Sequence, residues 1–171
     1  MRYEETSRHI LADLFANMSD LTYLDNYFTE NEKQIRDSYI WKSYSIDDLI
    51  EKARKEVKEF ELAIGELYEN VQEGRTPDFF DLFKSLGGED KYLDKLFRCK
   101  AYGASEKPSL LRIYAIQVDV NAYVITGGGI KLTQTMQECE YLKTELNQLN
   151  RVQEWLSEKG IERKEDLEDI L

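Results

Sequence analysis

Apolar residues recur at intervals of three and four along the first part of the chain, the period of one helical face. Ile10, Leu11, Leu14, Phe15 and Met18 predict a helix over residues 7–18. Ser19 and Asp20 can cap a second helix carrying Leu21, Leu24, Tyr27 and Phe28, with a continuation through Ile35 and Tyr39. Ser45-Ile46-Asp47-Asp48 places a hydroxyl at an N-cap and a carboxylate three residues on, where each can meet a free backbone N–H. The helix that follows has the clearest stripe: Ala53, Val57, Phe60, Ile64, Leu67 and Val71 alternate four and three residues apart. That heptad spacing suits packing on another long helix, and Gly74 can end it. Thr76-Pro77 then predicts a short restart, rich in Phe79, Phe80, Leu82, Phe83 and Leu86 and stopped by Gly87-Gly88.

The period then changes. Residues 95–101 fit the end of a helix or a strand; charges alternating with apolar residues favour the strand, with Phe97, Cys99 and Ala101 inward and Arg98 and Lys100 outward. After a loop at Ser105 to Pro108, strands are predicted over 110–118 and 122–126, joined by a tight turn at Asp119 to Asn121. Gly127-Gly128-Gly129 marks a bulge or a close backbone approach, and Ile130 to Thr135 reads as a further strand. A helix from about Gln137 to Lys159 carries Leu142, Leu146, Leu149, Val152 and Leu156, and the tail reads as a short acidic helix. The expected fold is α+β: one domain over 1–171, with helices over 1–76, a β core over 77–136 and C-terminal helices over 137–171. A twisted antiparallel sheet of three or four strands is placed at about 95–135. The helices at 46–72 and 137–159 are expected to lie near one another.

Composition adds bounds. A chain of 171 residues can bury a real core, and 42% hydrophobic content is too high for a disordered segment. The net charge of -11 argues against a general nucleic-acid binder, because an acidic surface repels phosphate. The charge is uneven, however. Between Lys91 and Thr135 seven cations face three anions, a net of +4, which leaves -15 on the rest. Two cysteines, Cys99 and Cys139, read as free thiols of a reducing compartment. With no apolar run near the roughly 20 residues of a membrane span and no signal-peptide pattern after Met1, the expectation is a cytoplasmic protein with no membrane partner.

Few residues invite chemistry. The glycine triplet fits neither dinucleotide nor phosphate-loop spacing. His9 is the only histidine, so neither a zinc site nor a histidine base is implied, and no metal or other cofactor is expected. Thr6, Ser7, Ser105 and Cys99 have no base beside them in the sequence. The basic residues are more suggestive. Arg98 and Lys100 would share a strand face, with Arg112 on the next strand and Lys131 after the glycines. They either converge on phosphate or form an ordinary solvated face. Tyr102, Tyr114 and Tyr123 either stack bases or pair across strands.

From about Phe79 to Thr135 the order of parts resembles the RelE/HigB-like toxins of bacterial toxin–antitoxin modules. A short apolar helix precedes Phe97-Arg98-Cys99-Lys100. Then come Leu111-Arg112-Ile113-Tyr114-Ala115-Ile116 and Ala122-Tyr123-Val124-Ile125-Thr126-Gly127-Gly128-Gly129-Ile130-Lys131. Thr133-Gln134-Thr135-Met136-Gln137-Glu138 is similar to a RelE-like branch of gut bacteria. The resemblance covers about a third of the chain. It implies a small twisted antiparallel sheet with helices on one side. It also implies metal-independent cleavage of messenger RNA on the ribosome through Arg98, Lys100, Arg112 and Lys131, and an antitoxin protein as partner. The chain departs from the family in its acidic helical start, its long C-terminal helix, and the lack of a Tyr or His between the last strand and Gln137. Those departures set up a second expectation: the same fold without the nuclease, an interaction module holding a partner or another copy of itself through its helical face.

Overall fold

The computed structural model describes residues 10–75, 82–85, 96–102, 108–120, 122–133 and 140–168. In the N-terminal part α1 spans Ile10–Ser19, α2 Leu21–Glu30, α3 Glu32–Asp37 and α4 Ile46–Gln72. Asp20 caps α2 by accepting from the N–H groups of Thr22 (2.8 Å) and Tyr23 (3.0 Å). The stripe read from the sequence then buries Leu24 and Phe28. The expected continuation through Tyr39 is interrupted at Asn31, whose side-chain amide donates to the Tyr27 carbonyl at 2.8 Å. It stops before Ser38, which turns extended and accepts from the N–H groups of Ile40 and Trp41. Ile35 is buried, but Tyr39 is 81% exposed and outside the core.

The start of α4 is the capping box spelled out by the sequence. Ser45 Oγ accepts from Asp48 N–H, and the Asp48 carboxylate accepts from Ser45 N–H. The Ser45 hydroxyl and then its N–H hold the Asp48 carboxyl below its ordinary value. A carboxyl depressed in the fold stabilises it above the ordinary carboxylate range, and that contribution is lost as acid takes the pH down through the folded value. Ser45→Ala is expected to lower the melting temperature by roughly 3 °C at neutral pH. It should also flatten the acid dependence of melting. Melts at pH 7 and pH 3 check both, and a wild-type melt at pH 7 would contradict the cap.

Four strands form one antiparallel meander in the order β1 (Phe83–Ser85), β2 (Phe97–Tyr102), β3 (Leu111–Asp119) and β4 (Ala122–Ile130). The architecture is α+β, and the expected sheet is present with two corrections and one alternative settled. Residues 83–85 are the edge strand rather than part of a helix, with Phe83 paired to Ala101 and stacked on Tyr123 at 4.9 Å between ring centroids. The rest of the helix expected after Thr76 lies outside the described residues, apart from Leu82. Residues 97–102 are a strand, which settles the ambiguity over 95–101. The glycine triplet continues β4 to Ile130, and no separate strand follows at 131–133.

The triplet is accounted for by a bulge and a close approach. Tyr114 pairs with Gly127 but Ala115 pairs with Ile125, so Thr126 is the extra residue, its hydroxyl bonded to the Tyr114 carbonyl at 3.3 Å. A side chain on Gly128 would meet the Arg112 carbonyl oxygen at 2.6 Å and Leu14 Cδ2 at 2.7 Å. The missing Cβ lets α1 and β3 come this near.

Alternation along β3 separates two cores. Leu111, Ile113 and Ala115 join Leu14, Leu24, Phe28, Ala53, Val57 and Phe60 from α1, α2 and α4. Tyr114, Ile116 and Val118 join Leu149 and Leu156 of α5 (Glu140–Glu158). The sheet therefore lies between α4 and α5, and these helices do not pack on one another as their stripes suggested. Helices cover both sheet faces, where the family resemblance implied one. Leu96 enters β2 with a left-handed φ of 49°, and its carbonyl accepts from Gln153 of α5 at 2.7 Å. Ile161 and Leu167, after α5 and in α6 (Lys164–Glu168), close that second core. Beyond Ile64, which still packs on the first core, α4 runs out of it: Tyr68 and Val71 are 64% and 49% exposed, and Leu62 is 59% exposed. Among the described residues no helix is long and apolar enough to cross a membrane.

Candidate functional site

The strand register puts Arg98, Lys100 and Arg112 on one face of the sheet. Arg98 pairs with Ile116, Lys100 with Tyr114, and Tyr102 with Arg112, and all these residues share the face that α5 covers. Lys84 pairs with Lys100 and adds a further cation to it. Only part of this set converges. The guanidinium carbon of Arg112 sits 4.3 Å from the Tyr102 ring centroid, and Lys100 Nζ lies 5.7 Å from the same centroid. Arg112 and Lys131 line one open cleft of about 460 Å³ with Ile40, Trp41, Tyr102 and Ser109. Arg98 is set apart. It lies four residues from Tyr102 along β2, about 13 Å at strand rise, and its Nη1 donates to Asn150 of α5 at 3.0 Å. It ties the sheet to α5 and is not among the residues that line the cleft.

The Arg112 side chain is held by the backbone just before it. Nη1 donates to the carbonyls of Ser109 (2.9 Å) and Leu111 (2.7 Å). Burial draws its guanidinium below the ordinary arginine value, opposed by interaction with Tyr102, Tyr114 and Glu56. It remains a cation, as arginine does in proteins. A half-buried guanidinium laid on an aromatic ring at a cleft wall is a recognised arrangement for meeting phosphate. Lys131 N–H donates to the Leu110 carbonyl at 2.8 Å, so residues 109–111 fix both cationic residues.

That segment is fixed in turn from beneath. Glu56 of α4 is 1% exposed and accepts from Leu110 N–H (3.0 Å), Leu111 N–H (2.7 Å) and the Ser109 hydroxyl (2.8 Å). Lys52 Nζ approaches it at 3.3 Å. Nothing in the sequence marks Glu56, which sits beside the α4 stripe like any surface glutamate. Trp41 escapes sequence reading too, because it lies in the irregular segment between α3 and α4.

Other sequence candidates are placed elsewhere. The three tyrosines do not form one stripe: Tyr102 borders the cleft, Tyr114 is buried under α5, and Tyr123 stacks on Phe83 on the opposite face. The Thr126 bulge, with a second register shift near the hairpin turn, changes which face each β4 residue meets. Cys99 is buried, and burial raises its thiol pKa, which disfavours the thiolate nucleophile. His9, Cys139 and the segment 134–139 lie outside the described residues. Among the described residues no group of three His, Cys, Asp or Glu side chains is placed to hold a metal ion. No protein-family model, curated protein or solved structure matches the chain.

Proposed function

We propose that this protein acts on RNA as a toxin-related, RelE/HigB-like endoribonuclease, with the Arg112–Tyr102–Lys131 cleft as the phosphate site. The observation that carries the reading is the Arg112 guanidinium held over the Tyr102 ring in a cleft shared with Lys131, with Lys100 over the same ring. RNA brings its own nucleophile. Attack of the 2′-oxygen on the adjacent phosphorus forms an O2′–P bond and breaks the P–O5′ bond. The products are a 2′,3′-cyclic phosphate and a 5′-hydroxyl; one proton leaves O2′ and one reaches O5′. Negative charge builds on the phosphoryl oxygens in the transition state, and cations fixed beforehand stabilise it without reorganising. Arg112 and Lys131 hold the phosphate in this scheme, and Lys100 adds charge behind them. An antitoxin and the ribosome are the partners that this proposal brings with it.

Induced expression in a bacterial host, following growth and bulk messenger RNA together, tests the proposal. Arrest with loss of messenger RNA is expected. The double variant Lys100→Ala, Lys131→Ala is expected to cut RNA at least about tenfold more slowly and to restore growth. It is a cleaner probe than Arg112→Ala, because Arg112 also holds two backbone carbonyls. Normal growth with intact messenger RNA at high yield overturns the ribonuclease. Undiminished arrest by the folded double variant moves the site away from the cleft. A second reading, an interaction module without catalysis, is favoured by the exposed Leu62, Tyr68 and Val71 on the outer turns of α4, and normal growth would support it.

A further inference from the structure

The peptide units at residues 109–111 lie between two opposite charges. The N–H groups of Leu110 and Leu111 point to the Glu56 carboxylate, and the carbonyls of Ser109 and Leu111 point to the Arg112 guanidinium. The third carbonyl, of Leu110, receives the Lys131 N–H. Peptide dipoles whose positive ends meet an anion and whose negative ends meet a cation are held in orientation by both. We infer that Glu56 is a positioning residue for the cleft: from the far side of the sheet it holds residues 109–111 so that the Arg112 guanidinium sits over the Tyr102 ring in the cleft that Lys131 also lines.

A buried carboxylate could be placed there for stability alone, but the geometry says more. Both Glu56 oxygens are used on this one segment, Oε1 by Leu110 N–H and Oε2 by Leu111 N–H and the Ser109 hydroxyl. The same three residues meet both cations: Ser109 and Leu111 accept from Arg112 Nη1, and Leu110 accepts from Lys131 N–H. Glutamine keeps the size of Glu56 but replaces one acceptor oxygen by an NH₂ donor, which turns one accepting contact into a clash of donors. The segment must then tilt, and the guanidinium with it.

The inference rests on the ribonuclease proposal only for its consequence in RNA binding; the placement of Arg112 is read without any ligand. The first readout is the Arg112 Nε–Hε resonance of ¹⁵N-labelled protein, which the Tyr102 ring current displaces. In Glu56→Gln this resonance is expected to move towards the position of a solvated arginine. Val57→Ala, a neighbouring core truncation, lowers the melting temperature but leaves the resonance in place. Ser109→Ala, which removes one of the three contacts to the carboxylate, moves it in the same direction by less, and decides the matter if Glu56→Gln does not fold. An Arg112 resonance unmoved in the folded variants overturns the inference, as does a Val57→Ala shift equal to that of Glu56→Gln. The second readout is binding of a short single-stranded RNA, expected to weaken about tenfold in Glu56→Gln, as for modest misplacement of a preorganised group. If wild type binds no RNA while the resonance moves as expected, the ribonuclease proposal fails and the positioning role stands.

Discussion

Glu56→Ala is expected to lower the stability of the fold by about 3–4 kcal/mol, within the range for removing one member of a buried charged pair, which is roughly 10 °C in melting temperature for a chain of this size. The magnitude follows from what is left behind. Two backbone N–H groups lose their acceptor in a place that water reaches poorly, and each stranded donor costs about 1–3 kcal/mol, while the Ser109 hydroxyl keeps the Leu111 carbonyl at 3.3 Å. Lys52, with 17% of its side chain exposed, loses its counter-charge but can swing outward, which limits the total. Glu56→Gln should lose clearly less, because one acceptor remains. Thermal melts and urea titrations of both variants give the comparison. An alanine variant that melts within about 2 °C of wild type would mean that water replaces the carboxylate at little cost.

Gly128→Ala is expected to lose about 2–3 kcal/mol, near the upper end for overpacking in a core. The new methyl would press on a β3 backbone oxygen at 2.6 Å, which cannot turn aside, and on Leu14 at 2.7 Å. Either β4 separates from β3 or α1 lifts from the sheet. Gly127→Ala is the control, one residue away. Its methyl meets the end of the Glu145 side chain, which can move, so its loss should stay below about 1 kcal/mol. Similar losses for the two variants would mean that the spacing between sheet and α1 is not what requires glycine at 128.

What could be read from the chain follows how local the cause is. The start of α4 was legible because Ser45 and Asp48 complete their cap within four residues. The strand at 110–118 was legible because its β-forming residues run together, enough of them to fill a core on each face. The edge strand at 83–85 was not: Thr76-Pro77 and a cluster of phenylalanines carry a helix signal, and Phe83 is drawn into the sheet by Ala101 and Tyr123, far along the chain. The heptad stripe of α4 showed that an apolar face exists but not what covers it, and α1, α2 and the sheet do so rather than α5. At the cleft, the sequence offered Arg112 and Lys131 as cations. It could not show that Arg98 is taken up by Asn150, or that a glutamate beneath the sheet fixes the segment holding the other two.

The long separation of Glu56 from its partners also sets a timetable for synthesis. The groups that it needs lie 53 to 55 residues further on. At ordinary translation rates they follow by about 3–11 s. For that interval α4 is made but its inward carboxylate has only Lys52 and water. A charge beside the stripe of Ala53, Val57 and Phe60 keeps that part of the nascent helix hydrated and disfavours its burial against the wrong surface. The first core cannot form before β3 has left the ribosome and closes fully only when Ile130 and Leu132 have followed, so the hairpin that carries Arg112 also completes the folding of the helices made before it.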